Sequence, residues 1–145
     1  MAVNKIKDIT IHEILKKVAA KNAKADKIAI LKQSNCLALR DILKGAFDDD
    51  IQFLLPEGAP PYEPSENPPS TLHRMSKRFK YFAAGGPGDR INRARVEKMF
   101  CEVLESIHPD DARLVIAMKD KKVNTMYRGL SRNVVEEAFP TLLSK

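Results

Sequence analysis

The chain has 145 residues, the length of one domain, and enough to bury a sizeable core without disulfides or metal. Hydrophobic residues at 43% and charged residues at 30% are the mix of a soluble globular protein, and a net charge of +6 favours a polyanion as partner. Two cysteines are too few for a secreted disulfide scaffold, and no apolar run is long enough for a transmembrane helix. Residues 1–25 contain no apolar leader core, so no signal peptide is expected and the chain is read as cytoplasmic.

In chain order, Ile11, Ile14, Leu15 and Val18 recur at helical spacing with Lys16, Lys17 and Lys21 opposite, and Thr10 is placed to cap the start. A short helix is predicted after Asp26, with Ile28 and Leu31 inward. A third runs from about Cys36 to Phe47, with Leu39, Ile42, Leu43 and Phe47 on one side. Asp48, Asp49 and Asp50 end it, and Ile51–Leu55 reads as a short strand or a buried extended piece. Six of the nine prolines fall between Pro56 and Pro69, so that segment cannot be helix and forms a long connection. A basic helix is predicted from Ser70 to Ala84, closed by Gly85 and Gly86. Asp89 is read as the cap of a long helix to about Ile107, with Ile91, Val96, Met99, Phe100, Val103 and Leu104 apolar. Pro109, Asp110 and Asp111 open the next helix, which ends in Lys119, Lys121 and Lys122. A turn through Tyr127, Arg128 and Gly129 leads to Ser131, the cap of a last helix stopped by Pro140. The expected fold is all-α: a single domain over 1–145, a compact bundle of about seven helices. The Pro-rich connection at 56–69 separates a neutral part, 1–55, from a basic part, 70–145.

Catalytic material is sparse. His12, His73 and His108 are far apart in sequence and fit no metal-ligand spacing, and Cys36 and Cys101 read as small hydrophobes. No nucleophile with a base and an orienting group is identifiable, so no enzyme, cofactor, metal or small-molecule substrate is expected. The glycine-rich stretch Gly85–Arg90 lacks the Lys-Ser/Thr of a nucleotide-binding loop and reads as a tight connection, with a DNA backbone phosphate held there, without hydrolysis, as the alternative.

The basic groups are the strongest signal. Residues 1–72 carry ten Lys/Arg and ten Asp/Glu, whereas 73–145 carry fifteen and nine, which accounts for the whole +6. Arg74, Lys77, Arg78 and Lys80 fall at spacings of three and four, so they share one side of a helix, with Phe79, Tyr81 and Phe82 as the buried side. Arg90, Arg93 and Arg95 follow, placed in the first turns of the next helix, where cations oppose the helix dipole and favour an external anion. Lys119, Lys121, Lys122, Arg128 and Arg132 form a third group. Together they point to phosphate contact.

The stretch GDRINRARVEKMFCEVLESIHPDDARLVIAMKDKKVNTMYRGLSRNVVEEAFPTLL resembles the C-terminal part of the N-terminal DNA-binding domain of ATP-dependent DNA ligases. Both show a long helix, a Pro/acidic-started helix, a basic connection, then a helix ending in a large apolar residue and Pro. Here these are Asp89 to Ile107, Pro109 to Asp120, Lys121 to Leu130, and Ser131 to Pro140. The similarity is best over residues 88–142. Ile11 to Phe47 is weakly similar to the helices opening the ligases of T4-like phages, and the whole chain looks like small proteins of such phages, including cyanophages. Lys119-Asp120-Lys121-Lys122 is not the K-x-D-G adenylation motif, and no residues remain for a nucleotidyltransferase domain. The resemblance therefore implies a stand-alone DNA-gripping module without ligation.

By that resemblance Arg90, Arg93, Lys121, Lys122, Arg128 and Arg132 are DNA contacts, with backbone N–H groups from Gly129 and Ser131. Arg74, Lys77 and Arg78 join them from the charge pattern. The expected function is non-enzymatic, sequence-independent grip of duplex or nicked DNA. The alternative is an adaptor docking on phage or host replication or transcription machinery through the Pro-rich segment. A helix-turn-helix in the last two helices is a further possibility, although the turn is long for one.

Overall fold

The computed structural model describes residues 10–143. The nine residues before them, part of the stretch read as lacking a leader, and the last two lie outside the described residues. The chain is all-α. Among the described residues there are eight α-helices, two of them single turns, and two 3-10 helices, and no helix is long and apolar enough to cross a membrane.

Helix α1 (Ile11–Ala20) starts where the Thr10 hydroxyl accepts the Glu13 N–H at 3.2 Å, and it buries Ile11, Ile14, Leu15 and Val18. Helix α2 (Lys24–Gln33) begins earlier than expected, at Lys24. Asp26 lies in its first turn, and it buries Leu31 and Lys27. Helix α3 (Leu37–Phe47) buries Leu39, Ile42 and Leu43, leaves Phe47 half-buried, and follows Cys36, which makes no side-chain capping bond. The piece after it is extended and pairs once: Phe53 and Ala83 form an antiparallel bridge, with Leu54 N–H donating to the Phe82 carbonyl and Ala84 N–H to that of Gln52, both at 2.7 Å.

The expected helix over 70–84 is not one helix. Helix α4 (Leu72–Met75), capped by Thr71, makes a single turn, and the chain then tightens into a 3-10 helix over Ser76–Tyr81. The reason lies in the buried positions. Ser76, Phe79 and Phe82 are all buried and recur every three residues, the 3-10 repeat, whereas an α-helix would rotate each successive one away. Phe82 then meets Phe100 edge to face, with ring centroids 5.2 Å apart.

The start of the long helix is also corrected. Asp89 lies in a 3-10 turn, Pro87–Arg90, and its carboxylate accepts the Gly85 N–H at 2.8 Å. The cap is Asn92, whose side chain accepts the Ala94 N–H at 2.8 Å, so helix α5 runs Arg93–Ser106. Arg90 consequently sits in the turn and not in the helix. Helix α5 buries Val96, Phe100, Val103 and Leu104 at intervals of four, three and one.

Helix α6 (Pro109–Lys119) is capped by the His108 ring, which accepts the Asp110 N–H at 3.0 Å. A single turn, α7 (Val123–Met126), and a bend at Gly129 lead to α8 (Arg132–Ala138), capped by Ser131. One hydrophobic cluster collects buried residues from Ile11 to Leu143. In it α6 packs on α1, α3 and α5, and α8 packs on α2.

The Pro-rich segment crosses this bundle as a strap. Gly58 N–H reaches the Asp120 carboxylate at 3.1 Å, Glu63 N–H reaches Glu105 at 2.9 Å, and Ser70 N–H reaches the Ser106 carbonyl at 2.9 Å.

Candidate nucleic-acid interface

The cations singled out in the sequence divide into two sets. Arg74, Lys77, Arg78, Arg90 and Arg128 are exposed, and none makes a side-chain hydrogen bond or ion pair among the described residues. The first three lie within five residues on α4 and the 3-10 helix. Arg74, Lys77 and Arg78 line one open hollow of about 540 Å³, with Ser70 and Ser106 beside them and Glu102 as its acidic residue. The turn that carries Arg90 packs against that same 3-10 helix. Lys80 sits 5.4 Å from the centroid of the Tyr81 ring.

The second set is occupied within the fold. Lys121, with a left-handed backbone at φ +61°, turns its ammonium onto the end of α3, where it donates to the carbonyls of Gly45 and Asp48, the latter at 3.1 Å. It also lies over the Phe53 ring at 5.3 Å. Burial holds its ammonium below the usual lysine range, partly offset by Asp48 and Asp49. Arg132 donates to the Phe47 carbonyl at the same helix end and pairs with Asp49 at 3.7 Å and Glu136 at 3.3 Å. These two residues cap α3: a helix C-terminus presents unsatisfied carbonyls and partial negative charge, and two distant cations answer both. Arg93 donates to the Leu54 carbonyl at 3.0 Å, and Lys122 pairs with Glu57 at 3.1 Å on an exposed part of the strap.

Gly129 and Ser131 are exposed at the turn before α8, which has only seven residues. The Ser131 hydroxyl accepts the Val134 N–H at 3.4 Å, so its own capping role is local. Gly129 is held at φ +80° with the Lys27 side chain against it, and Lys27 in turn donates to the Lys21 carbonyl.

Sequence reasoning missed a polar cluster at the α1–α6 junction. His12 and His108, nearly a hundred residues apart, face the same Asp110 carboxylate at 3.8 and 3.9 Å, which Arg113 also pairs. His12 N–H donates to the buried Asp111 at 2.8 Å, and the His12 ring meets the Tyr127 hydroxyl at 2.6 Å. Desolvation lowers the His12 pKa and raises those of Asp111 and Tyr127. These bonds join the start of α1 to the start of α6. No local spacing could have signalled them. Among the described residues no group of three or more His, Cys, Asp and Glu side chains is arranged to hold a metal ion. The two cysteines are free and half-buried, and burial raises both thiol pKa values.

Comparison with known proteins gives one match. A family model described as a family of unknown function, DUF6433, matches residues 14–125. No curated protein and no solved structure matches the chain.

Proposed function

The chain belongs to DUF6433, a family of unknown function, and we propose that it is a non-enzymatic DNA-binding protein that grips the phosphate backbone with little regard to sequence. The observation that carries this reading is the set of exposed cations left without an intramolecular partner, three of them on the α4–3-10 face: Arg74, Lys77 and Arg78. By contrast, Arg93, Lys119, Lys121, Lys122 and Arg132 are matched to carbonyls or carboxylates. A cluster that is not matched is the arrangement that binds polyanions by displacing condensed counterions. Arg90, in the adjoining turn, extends the same basic surface. The order α5, α6, basic connection, α8 follows the one behind the resemblance to ligase DNA-binding domains, which favours backbone grip over base readout. Lys121 and Arg132, spent on the end of α3, contribute scaffold and not contact.

The adaptor reading has less in its favour. The Pro-rich segment that would recruit a phage or host protein already uses Gly58, Glu63 and the Pro56 carbonyl against α5 and α6.

The test is fluorescence anisotropy with labelled intact duplex, nicked duplex and single strand over a range of salt. Affinity is expected to fall steeply with salt, with a slope close to 0.9 per phosphate neutralised for duplex DNA. Changing Arg74, Lys77 and Arg78 together to Ala is expected to weaken binding at least tenfold and to flatten the slope by two to three, while Lys122→Ala leaves both unchanged. No binding at low salt, or a triple variant indistinguishable from the parent, overturns the proposal.

A further inference from the structure

Next to the basic face, between the C-terminal half of α3 and the 3-10 helix, lies an open cavity of about 250 Å³. That is slightly below the roughly 300–1,000 Å³ of pockets for drug-sized ligands, so its scale is one ring system with a substituent. Its walls are of three kinds. Phe53 and Phe79 present aromatic surface. Lys44, Lys77 and Lys80 also line it, with Asp41 as its acidic residue.

The third kind is a polar pair, Asp41 and Ser76. Ser76 is 2% exposed, and its hydroxyl lies beside the Asp41 carboxylate, out of reach of solvent. Asp41 is half-buried, and desolvation raises its carboxyl pKa, with the Ser76 hydroxyl and the Arg40 and Lys44 charges offsetting part of that. An ionised carboxylate offers only acceptors, so the group that completes this wall carries N–H donors. The lysine rim asks in addition for an anion, and the two phenyl groups for a flat π-face.

We propose that this cavity takes a single unstacked nucleobase, with its N–H edge on Asp41, which Ser76 holds from behind, its ring against Phe53 and Phe79, and its phosphate at the lysine rim. One nucleotide supplies all three chemistries, and base–aromatic stacking is the usual way a protein holds a base out of its stack. The inference rests on reading the neighbouring face as a nucleic-acid contact, and Lys77 belongs to both. A free mononucleotide and a nucleotide within a strand share this chemistry.

The experiment is titration calorimetry of the full chain with the four deoxynucleoside monophosphates, deoxyribose 5-phosphate and L-tryptophan. It is repeated on Asp41→Asn and Ser76→Ala, with circular dichroism melts to establish that each variant folds. At least one monophosphate is expected to bind tenfold or more tightly than deoxyribose 5-phosphate, and each variant, still folded, to lose most of that gain. A trinucleotide of the same base that binds tighter than its monophosphate assigns the site to a strand; the reverse assigns it to a free nucleotide. Equal binding of monophosphate and sugar phosphate, unchanged binding by both variants, or tighter binding of tryptophan than of any nucleotide overturns the inference. Failure of the backbone reading is separable, because a variant with Arg74 and Arg78 alone changed to Ala, which leaves every residue of the cavity in place, would then bind duplex like the parent while its base-dependent nucleotide binding persisted.

Discussion

Lys119 and Lys122 stand three residues apart in a run that reads as one basic group, yet they occupy opposite environments. The Lys119 side chain is 2% exposed; its ammonium donates to the carbonyls of Pro56 at 2.8 Å and Gly58 at 3.0 Å and pairs with Asp120. Asp120 in turn accepts the Gly58 N–H, so one buried ion pair fastens the Pro-rich strap at its start. Lys122 reaches the same strap at Glu57, but both ends of that pair are exposed. Removing one partner of a buried, hydrogen-bonded pair leaves the other charge and two carbonyls unmatched, a loss of about 3–5 kcal/mol. An exposed pair is worth about 0–1 kcal/mol. In urea unfolding, Lys119→Ala is therefore expected to lower stability by several times as much as Lys122→Ala, and equal losses would refute this picture of the strap. The residue types were legible in the sequence and their positions at the end of α6 nearly so. What was not legible is which lysine is buried, because that depends on a segment some sixty residues earlier. The same holds for Lys121 and Arg132, whose partners lie at the end of α3.

The segment from Leu72 to Asn92 shows the same limit for elements. Spacings of three and four among Arg74, Lys77, Arg78 and Lys80 suit either helix type, so the charges could not decide between them. The buried triplet Ser76, Phe79 and Phe82 does, and it is legible only once burial is known, since a serine does not announce itself as core. The following turn depends on close approach of backbone to backbone. A Cβ on Gly88 would lie 1.9 Å from the Tyr81 carbonyl oxygen, which cannot step aside without moving the 3-10 helix. Gly45, in the last turn of α3, is also crowded, but a Cβ there would meet the Met118 sulfur at 2.7 Å, part of a flexible side chain. Gly45→Ala recovers about 1 kcal/mol of helix propensity against its overpacking, whereas Gly88→Ala has no such offset and incurs about 1–3 kcal/mol or more. Thermal melts are expected to show a much larger drop in Tm for Gly88→Ala; the opposite order would mean that the turn is not held against Tyr81. The elements that were legible, α1, α3, α6 and α8, each have a cap or a clear apolar stripe in their own residues.

At the scale of the molecule, charge and packing divide the chain differently. The net charge belongs wholly to residues 73–145, so charge alone would divide the chain there. Packing does not follow that boundary. Helix α6 lies between α1, α3 and α5, and α8 packs on α2. The end of α3 is closed by Lys121 and Arg132, and the start of α1 is tied to Asp111 and Tyr127. Severed at the strap, residues 70–145 would expose Leu114, Val115, Met118, Val134 and Val135 from a cluster shared with α1–α3, and would lose the carbonyls that Lys121 and Arg132 satisfy. A small chain buries too little surface to absorb such a loss. The peptides 1–69 and 70–145 are therefore each expected to show little helical circular dichroism alone and no cooperative melt. Mixed at equal concentration, they should regain helicity, because the strap leaves most of the interface to side chains that survive the cut. A cooperative melt of 70–145 by itself would show that the basic half folds independently, and the grip on DNA would then have to be reassigned to that half alone. If instead only the mixture binds duplex with the salt dependence of the intact chain, the neutral half serves to hold α4 and its 3-10 extension in the shape that presents Arg74, Lys77 and Arg78.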